Sequence, residues 1–99
     1  MADAEKINKL LGFARRAGKL AIGRSAVETA DKQKKLKLVI LAEDATPKAE
    51  RVVLHLRGVA SIRYSTKDGL GELLGRSEVG MVGILDQNFA VSIRHAAAN

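Results

Sequence analysis

The sequence contains no cysteine and no tryptophan, one proline and only three aromatic residues. Without cysteine the chain has no disulfide bond, no thiol nucleophile and no thiolate ligand for a metal. No apolar stretch approaches the ~18 residues of a membrane-spanning helix, and the amino terminus has no long apolar region, which argues against secretion. Ninety-nine residues with 46% hydrophobic content predict one globular domain over residues 1–99. We therefore expect a cytoplasmic protein without a membrane partner.

Signals for catalysis are also scarce. His55 and His95 fall on different predicted helices and belong to no motif, so both are predicted to be surface residues. Glu43 and Asp44 are adjacent and would point to opposite faces of a strand, so we interpret them as caps of the next helix. No Walker motif occurs, and the glycines of residues 69–75 lie inside a predicted helix instead of following a strand. The sequence predicts no catalytic residue, no metal site and no cofactor.

The three aromatic residues are Phe13, Tyr64 and Phe89, and the two phenylalanines fall near apolar helix stripes. We expect both phenylalanines in the core. Recognition of single strands by stacking needs exposed aromatic residues on strands, which this sequence does not supply. A nucleic-acid partner would instead be held by lysine and arginine side chains and by backbone N–H groups at a helix start.

The net charge of +6 is distributed unevenly along the chain. Residues 1–37 contain ten lysines or arginines and four acids, whereas residues 38–99 contain seven of each sign. This asymmetry predicts a polyanionic partner on one side of the molecule. The alternative is a solvated basic surface that keeps the protein soluble.

The centre of the predicted fold is the run of four apolar residues at positions 38–41, which is typical of a strand buried on both faces. Thr46 and Pro47 follow as a helix cap and a first-turn proline. In open α/β sheets, ligands bind beyond the carboxyl ends of the strands. The carboxyl end of this strand is therefore one place to look for function.

Periodicity and capping signals predict that five helices alternate with four strands. The first helix is capped by Asp3 and ended by Gly18, a strand follows at 19–22, and a second helix opens with a capping box at Ser25 and runs to about Lys34. After the central strand, a third helix follows Thr46 and is ended by Gly58, and a strand lies at 59–64. A fourth helix runs through 70–74 and is ended by Gly75, a strand lies at 79–85, and the last helix is capped by residues 86–88. This order predicts an α/β fold, a three-layer α/β/α sandwich with a mostly parallel or mixed sheet.

The corner at Gly23, Arg24 and Ser25 is the best candidate for anion binding. Glycine allows close backbone approach, the helix start presents N–H donors, and Arg24 can contact a phosphate or a guanine edge. Ser25 has the competing role of helix N-cap. At the far end of the same helix, a basic cluster is equally well explained by the helix dipole: Lys32, Lys34, Lys35 and Lys37.

Four stretches of the chain carry a family resemblance, and together they cover nearly all of it: residues 11–20, residues 23–47, residues 70–75 and residues 78–84. The sequence resembles the ribosomal protein L-seven-Ae/L-thirty-e family, and residues 11–20 resemble its small bacterial YlxQ-like members. The resemblance implies an α/β/α sandwich that binds kink-turn RNA, an internal loop that bends a helix sharply.

The resemblance also implies a site. In the family, the second helix opens with glycine followed by Asn-Glu and later Lys; Gly23 matches, whereas Ser25, Ala26 and Thr29 stand at the other positions. A second family contact is the loop before the last strand, where Ser77 replaces an apolar residue. The implied RNA-binding residues are Lys19, Gly23, Arg24, Ser25, Thr29, Lys32, Arg76, Ser77, Glu78 and Val79.

Sequence and resemblance together predict a non-catalytic RNA-binding protein whose partner is a structured RNA, such as a kink-turn of rRNA or mRNA, within a ribosome or other ribonucleoprotein. No DNA partner is expected. One alternative is a protein-interaction subunit of an RNA-processing or translation complex, which docks through a sheet edge or apolar helix face. Another is an enzyme or the RNA-docking piece of a methyltransferase, for which the sequence offers no cofactor loop.

Overall fold

Five helices alternate with four strands along residues 2–98, the part of the chain that the computed structural model describes. The elements are α1 (Ala4–Arg16), β1 (Leu20–Ile22), α2 (Arg24–Lys32), β2 (Leu38–Leu41), α3 (Pro47–Leu54), β3 (Ala60–Arg63), α4 (Lys67–Leu74), β4 (Met81–Ile84) and α5 (Gln87–Ala98). The order of elements and the α/β class are confirmed. No helix within these residues has the length and apolar character needed to cross a membrane.

The four strands form one mixed sheet in the order β1-β4-β2-β3. Strand β2 pairs in parallel with β3, whereas β4 is antiparallel to both β1 and β2. Antiparallel pairs therefore outnumber parallel ones, and of the two predicted arrangements the mixed sheet is the correct one. The apolar pattern could not decide between them, because a strand buried on both faces has the same pattern in either direction.

Strand β2 is an interior strand, and all four of its residues are buried. Leu38 and Ile40 belong to one core cluster, with residues of α1, α4 and α5, while Val39 and Leu41 belong to a second, with residues of α2 and α3. Successive side chains of a strand point to opposite faces, so the sheet separates two layers of helices. The unbroken apolar run is needed because both faces of β2 are covered.

Side chains cap the helix starts that the sequence predicted for α1, α3 and α5. Each accepts a backbone N–H three residues further on: Asp3 from Lys6 at 3.1 Å, Thr46 from Ala49 at 3.2 Å, and Asp86 from Phe89 at 3.0 Å. The predicted end of α4 is also confirmed, because Gly75 adopts the left-handed conformation with φ 74°. Helix α3 ends earlier than predicted, with His55 as its C-cap in place of Gly58.

Phe13 is not in the core, contrary to the sequence prediction. Helix α1 buries Ile7, Leu11 and Ala14, a stripe that Phe13 lies outside, and the Phe13 side chain is 52% exposed. The Arg16 guanidinium covers its ring at 5.0 Å from the centroid, a cation–π contact. Phe89 is half-buried and packs against the first core cluster, as expected.

Tyr64 joins the end of β3 to α1, and its hydroxyl lies 2.6 Å from Asn8 Oδ1 and 3.1 Å from the Ala4 carbonyl oxygen. Burial raises the pKa of Tyr64 above its usual value of 10.0. The folded state thus favours the neutral phenol, and this contribution to stability is complete below about pH 10 and lost as the pH rises through the folded-state pKa.

We therefore expect alkaline pH to destabilise the wild-type protein more than the Tyr64→Phe variant, which has no phenol to ionise. Urea unfolding at about pH 8 and about pH 11 measures this difference in the free energy of unfolding. An identical loss of stability in both proteins would show that Tyr64 ionisation is not coupled to folding.

Candidate nucleic-acid interface

The starts of three helices lie at the same end of the sheet, next to the ends of three strands. The pairings show that β1, β2 and β3 run in one direction and β4 in the other. The carboxyl ends of the first three strands and the amino end of β4 therefore lie at the same end of the sheet, which we call the rim. Helices α2, α3 and α4 each follow one of those three strands, so each begins at the rim. Each helix start carries the positive end of the helix dipole, which favours anions, and its first N–H groups need partners from outside the helix.

A basic residue stands in the first turn of each of these helices: Arg24 in α2, Lys48 in α3 and Lys67 in α4. A cation at this end opposes the helix dipole and costs about 0.3–1 kcal/mol. Acids in the first turns of α3 and α4, Glu50 and Asp68, offset part of this cost, but α2 has none. The start of α2 is therefore less stable than it could be and more attractive to an anion.

The start of α2 differs from the prediction, because Ser25 is not its N-cap. The helix begins at Arg24, so Ser25 lies inside the first turn, and Gly23 is the N-cap with φ 95°, a left-handed value that favours glycine. The Gly23 N–H donates to the Met81 carbonyl at 3.0 Å, which fixes the corner to β4. No side chain within residues 2–98 caps this helix. Its first N–H groups are consequently left for a ligand.

A cavity of about 340 Å³ opens at the rim and brings the predicted corner next to the predicted loop. Arg24 and Ser25 of the corner and Glu78 of the loop all line this cavity. Lys67 was not predicted, and its Nζ lies 3.9 Å from Glu78 Oε1. The lining residues are Arg24, Ser25, Thr46, Ala49, Lys67, Glu78, Gly80 and Met81.

Residues 75–80, which we call the return segment, run back along α4 to the rim. The Arg76 N–H donates to the Gly71 carbonyl at 2.7 Å, and the Val79 N–H donates to the Lys67 carbonyl at 3.0 Å. A Cβ atom on Gly71 would lie only 2.7 Å from the Ser77 carbonyl oxygen. Gly71 therefore lacks a side chain because the return segment occupies that space.

The side chains of the return segment divide between surface and core. Arg76, Ser77 and Glu78 are exposed. Val79 is only 3% exposed and belongs to the first core cluster, so its side chain is not presented to a ligand, in contrast to its predicted contact with RNA. An apolar residue that leads into a buried strand gains more from the core than from solvent.

The other predicted residues lie farther from the cavity. Thr29 and Lys32 are exposed on α2, and Lys32 follows Arg24 by eight residues, about 12 Å along the helix axis. Lys19 directly precedes β1 and so lies at the amino end of that strand, away from the rim. The structure thus brings together Gly23, Arg24, Ser25 and Glu78, and leaves Lys19 apart.

The uneven charge along the chain predicted that the cations of the first third lie on one side of the molecule. This prediction is wrong. Helix α1 contributes to the first core cluster and α2 to the second, so the two helices cover opposite faces of the sheet. Order along the chain does not determine which face a helix covers. Lys48 and Lys67 come from the electrically balanced part of the sequence. The signal that could have identified them was a basic residue soon after each capping threonine, Thr46 and Thr66.

Asp44 caps a helix, but not the one predicted. Its Oδ1 accepts the backbone N–H of Lys67 at 2.8 Å, at the start of α4, while Thr46 caps α3. The carboxylate thereby ties the end of β2 to α4 across the rim. Its role is to position the helix start, as expected for a side chain engaged by the fold.

The family described as "Ribosomal protein L7Ae/L30e/S12e/Gadd45 family" matches residues 5–93. A solved structure of a protein with unknown function from Bacillus halodurans superposes with a TM-score of 0.87 at 27% identity, covering 95% of this chain and 98% of that one. The Giardia lamblia 15.5kD RNA binding protein has the same fold, with a TM-score of 0.74 at 21% identity over 96% of this chain and 87% of that one. No curated protein matches the sequence.

Proposed function

The chain belongs to the ribosomal protein L7Ae/L30e/S12e/Gadd45 family, and on this basis we propose that it is a non-catalytic RNA-binding protein. The observation that carries the proposal is the convergence of three helix starts, each with a basic residue, on one rim. The Giardia protein of the same fold is named for binding RNA, which adds support. Peptide dipoles and cations at one edge suit a folded phosphate backbone.

We propose a kink-turn or a similarly bent RNA as the target, in rRNA or mRNA and within a cytoplasmic ribosome or ribonucleoprotein. Such a bend brings several phosphates close together, and the rim places the N–H groups at the start of α2 near the cations Arg24, Lys48 and Lys67. The N–H groups at the start of α2 would bind a phosphate, while Arg24 would contact another phosphate or a guanine edge. Thr29 and the exposed residues of the return segment would flank the bend, with Val79 holding that segment from beneath.

Removal of the Arg24 side chain should weaken binding in a salt-dependent way. Arg24 is exposed, and its ion pair with Glu28 is long, at 3.9 Å, so the Arg24→Ala variant should fold normally. Loss of one phosphate contact should make the negative slope of log K against log salt shallower by about one. Titration of a kink-turn duplex at several salt concentrations measures this slope.

The matched control is Arg94→Ala, which removes the same charge from exposed α5 on the other face of the sheet. Its slope should remain close to that of the wild type. If Arg24→Ala behaves like Arg94→Ala, the rim is not the binding site. If the wild type binds a straight duplex as tightly as a kink-turn duplex, the proposed RNA motif is wrong.

A further inference from the structure

We propose that RNA held at the rim continues into a basic groove between α2 and α3, so that the protein binds a strand of the stem next to the bend as well as the bend itself. This inference rests on the proposed function. A cavity of about 560 Å³ opens between these helices, and Arg24 lines both this cavity and the one at the rim. We call the space between the two helices the α2–α3 groove. The two cavities adjoin at Arg24, and on this ground we place one ligand across both.

The α2–α3 groove leads from the rim toward the opposite end of the sheet. Both helices begin at the rim, so Arg24 and Lys48 lie at its near end, and Lys32 and His55 lie at its far end. Eight residues of helix correspond to about 12 Å, enough to face more than one phosphate of a strand. A second cavity of about 580 Å³ continues the track past Asp31, Lys32, Lys34, His55 and Arg57.

The groove is basic, and few of its charges are neutralised by the protein itself. Among residues 2–98, the ion pair along this groove joins Arg24 Nε and Glu28 Oε1 at 3.9 Å, and both side chains are well exposed. Such a pair contributes little and is easily exchanged for a phosphate. The exposed cations Arg24, Lys32, Lys48 and Arg51 outnumber the acids Glu28 and Asp31.

The floor and one wall of the groove also suit a nucleic-acid backbone. His55 Nδ1 lies 2.7 Å from the Arg51 carbonyl oxygen, and since a carbonyl only accepts, Nδ1 donates. In the neutral ring the other nitrogen, Nε2, is then an acceptor, which suits a ribose 2′-hydroxyl and not a phosphate oxygen. Val52 and Leu56 are half-buried and provide an apolar floor on which a ribose can pack. Basic walls over an apolar floor fit a sugar–phosphate chain that enters from the rim.

The test compares two RNAs, a kink-turn with a long flanking stem and the same bend with that stem shortened. Arg51 lines the groove and Arg57 lines its continuation, both away from the rim and both exposed, so the double variant Arg51→Ala/Arg57→Ala should fold normally. With the long stem, the negative slope of log K against log salt should become shallower by about two, one for each lost phosphate contact. With the short stem, the variant should bind like the wild type. The control Lys6→Ala/Arg94→Ala removes the same charge from exposed positions on α1 and α5, on the other face of the sheet.

The outcomes separate the two proposals. If the wild type binds neither RNA, the proposed function is overturned, and the groove inference with it. If the wild type binds and Arg24→Ala weakens binding, but the Arg51/Arg57 variant matches the Lys6/Arg94 control on the long stem, only the groove inference fails. That result would leave the groove for an acidic protein partner. An effect of the Arg51/Arg57 variant confined to the long stem supports the inference.

Discussion

The Ile40→Ala variant is expected to lose about 2–5 kcal/mol of unfolding free energy, the largest effect of any single change considered. Ile40 is fully buried at the centre of β2, between Val82 of β4 and Ile62 of β3 in register. Loss of its side chain removes apolar contacts and leaves a cavity that an interior strand cannot easily collapse to fill. Urea denaturation of both proteins measures the difference.

Ile62→Ala is the matched control, because it makes the same chemical change on the neighbouring strand at the sheet edge. Ile62 is only half-buried, so we expect a smaller loss. If Ile40→Ala is too unstable to fold, Ile40→Val should still be measurable, with a loss of about 0.5–1.5 kcal/mol. Equal losses for Ile40→Ala and Ile62→Ala would contradict the central position of β2 in the core.

The Gly71→Ala variant is expected to lose about 1–2 kcal/mol and also to bind RNA more weakly. The new Cβ would lie 2.7 Å from the Ser77 carbonyl oxygen and 2.8 Å from that of Arg76, and these backbone atoms cannot rotate away. Overpacking of this kind costs about 1–3 kcal/mol, of which better helix propensity recovers roughly 0.5–1. Because the return segment must shift, its exposed side chains would leave their positions at the rim.

Gly12→Ala provides the control, since Gly12 also lies inside a helix. A Cβ on Gly12 would meet only Arg16 Nη1, at 3.9 Å, so this variant should be neutral or gain up to about 1 kcal/mol. Thermal or urea unfolding gives the stabilities, and titration with a kink-turn duplex gives the affinities. A Gly71→Ala protein as stable as Gly12→Ala would show that the return segment is not held against α4.

Local signals in the sequence were sufficient where a single element decides the outcome. The apolar run of β2, the capping residues Asp3, Thr46 and Asp86, and the terminating glycines Gly18 and Gly75 each act through their near neighbours. Their effects are therefore legible in a short window of sequence. The family resemblance, which the match over residues 5–93 confirms, added the fold as a whole.

The errors concern arrangements that distant residues decide. Phe13 was placed in the core because it lies near an apolar stripe, but the packing of α1 against α4 and α5 left it outside. Ser25 satisfied a capping pattern, yet the bond from Gly23 to Met81 fixed the helix start two residues earlier. The direction of β4 and the separation of α1 from α2 likewise depend on contacts far apart in the chain. For the same reason, the contribution of Lys48 and Lys67 to the rim could be recognised only from the structure.

The uncapped start of α2 has a consequence for how this surface can vary. Under the proposed function, part of its attraction for phosphate would come from main-chain amides, which a change of side chain leaves in place. The family residues replaced here by Ser25, Ala26 and Thr29 can thus be exchanged while the underlying affinity for an anion persists. In that case the peptide groups would retain the RNA, and the side chains at these three positions would set which RNA sequence is preferred.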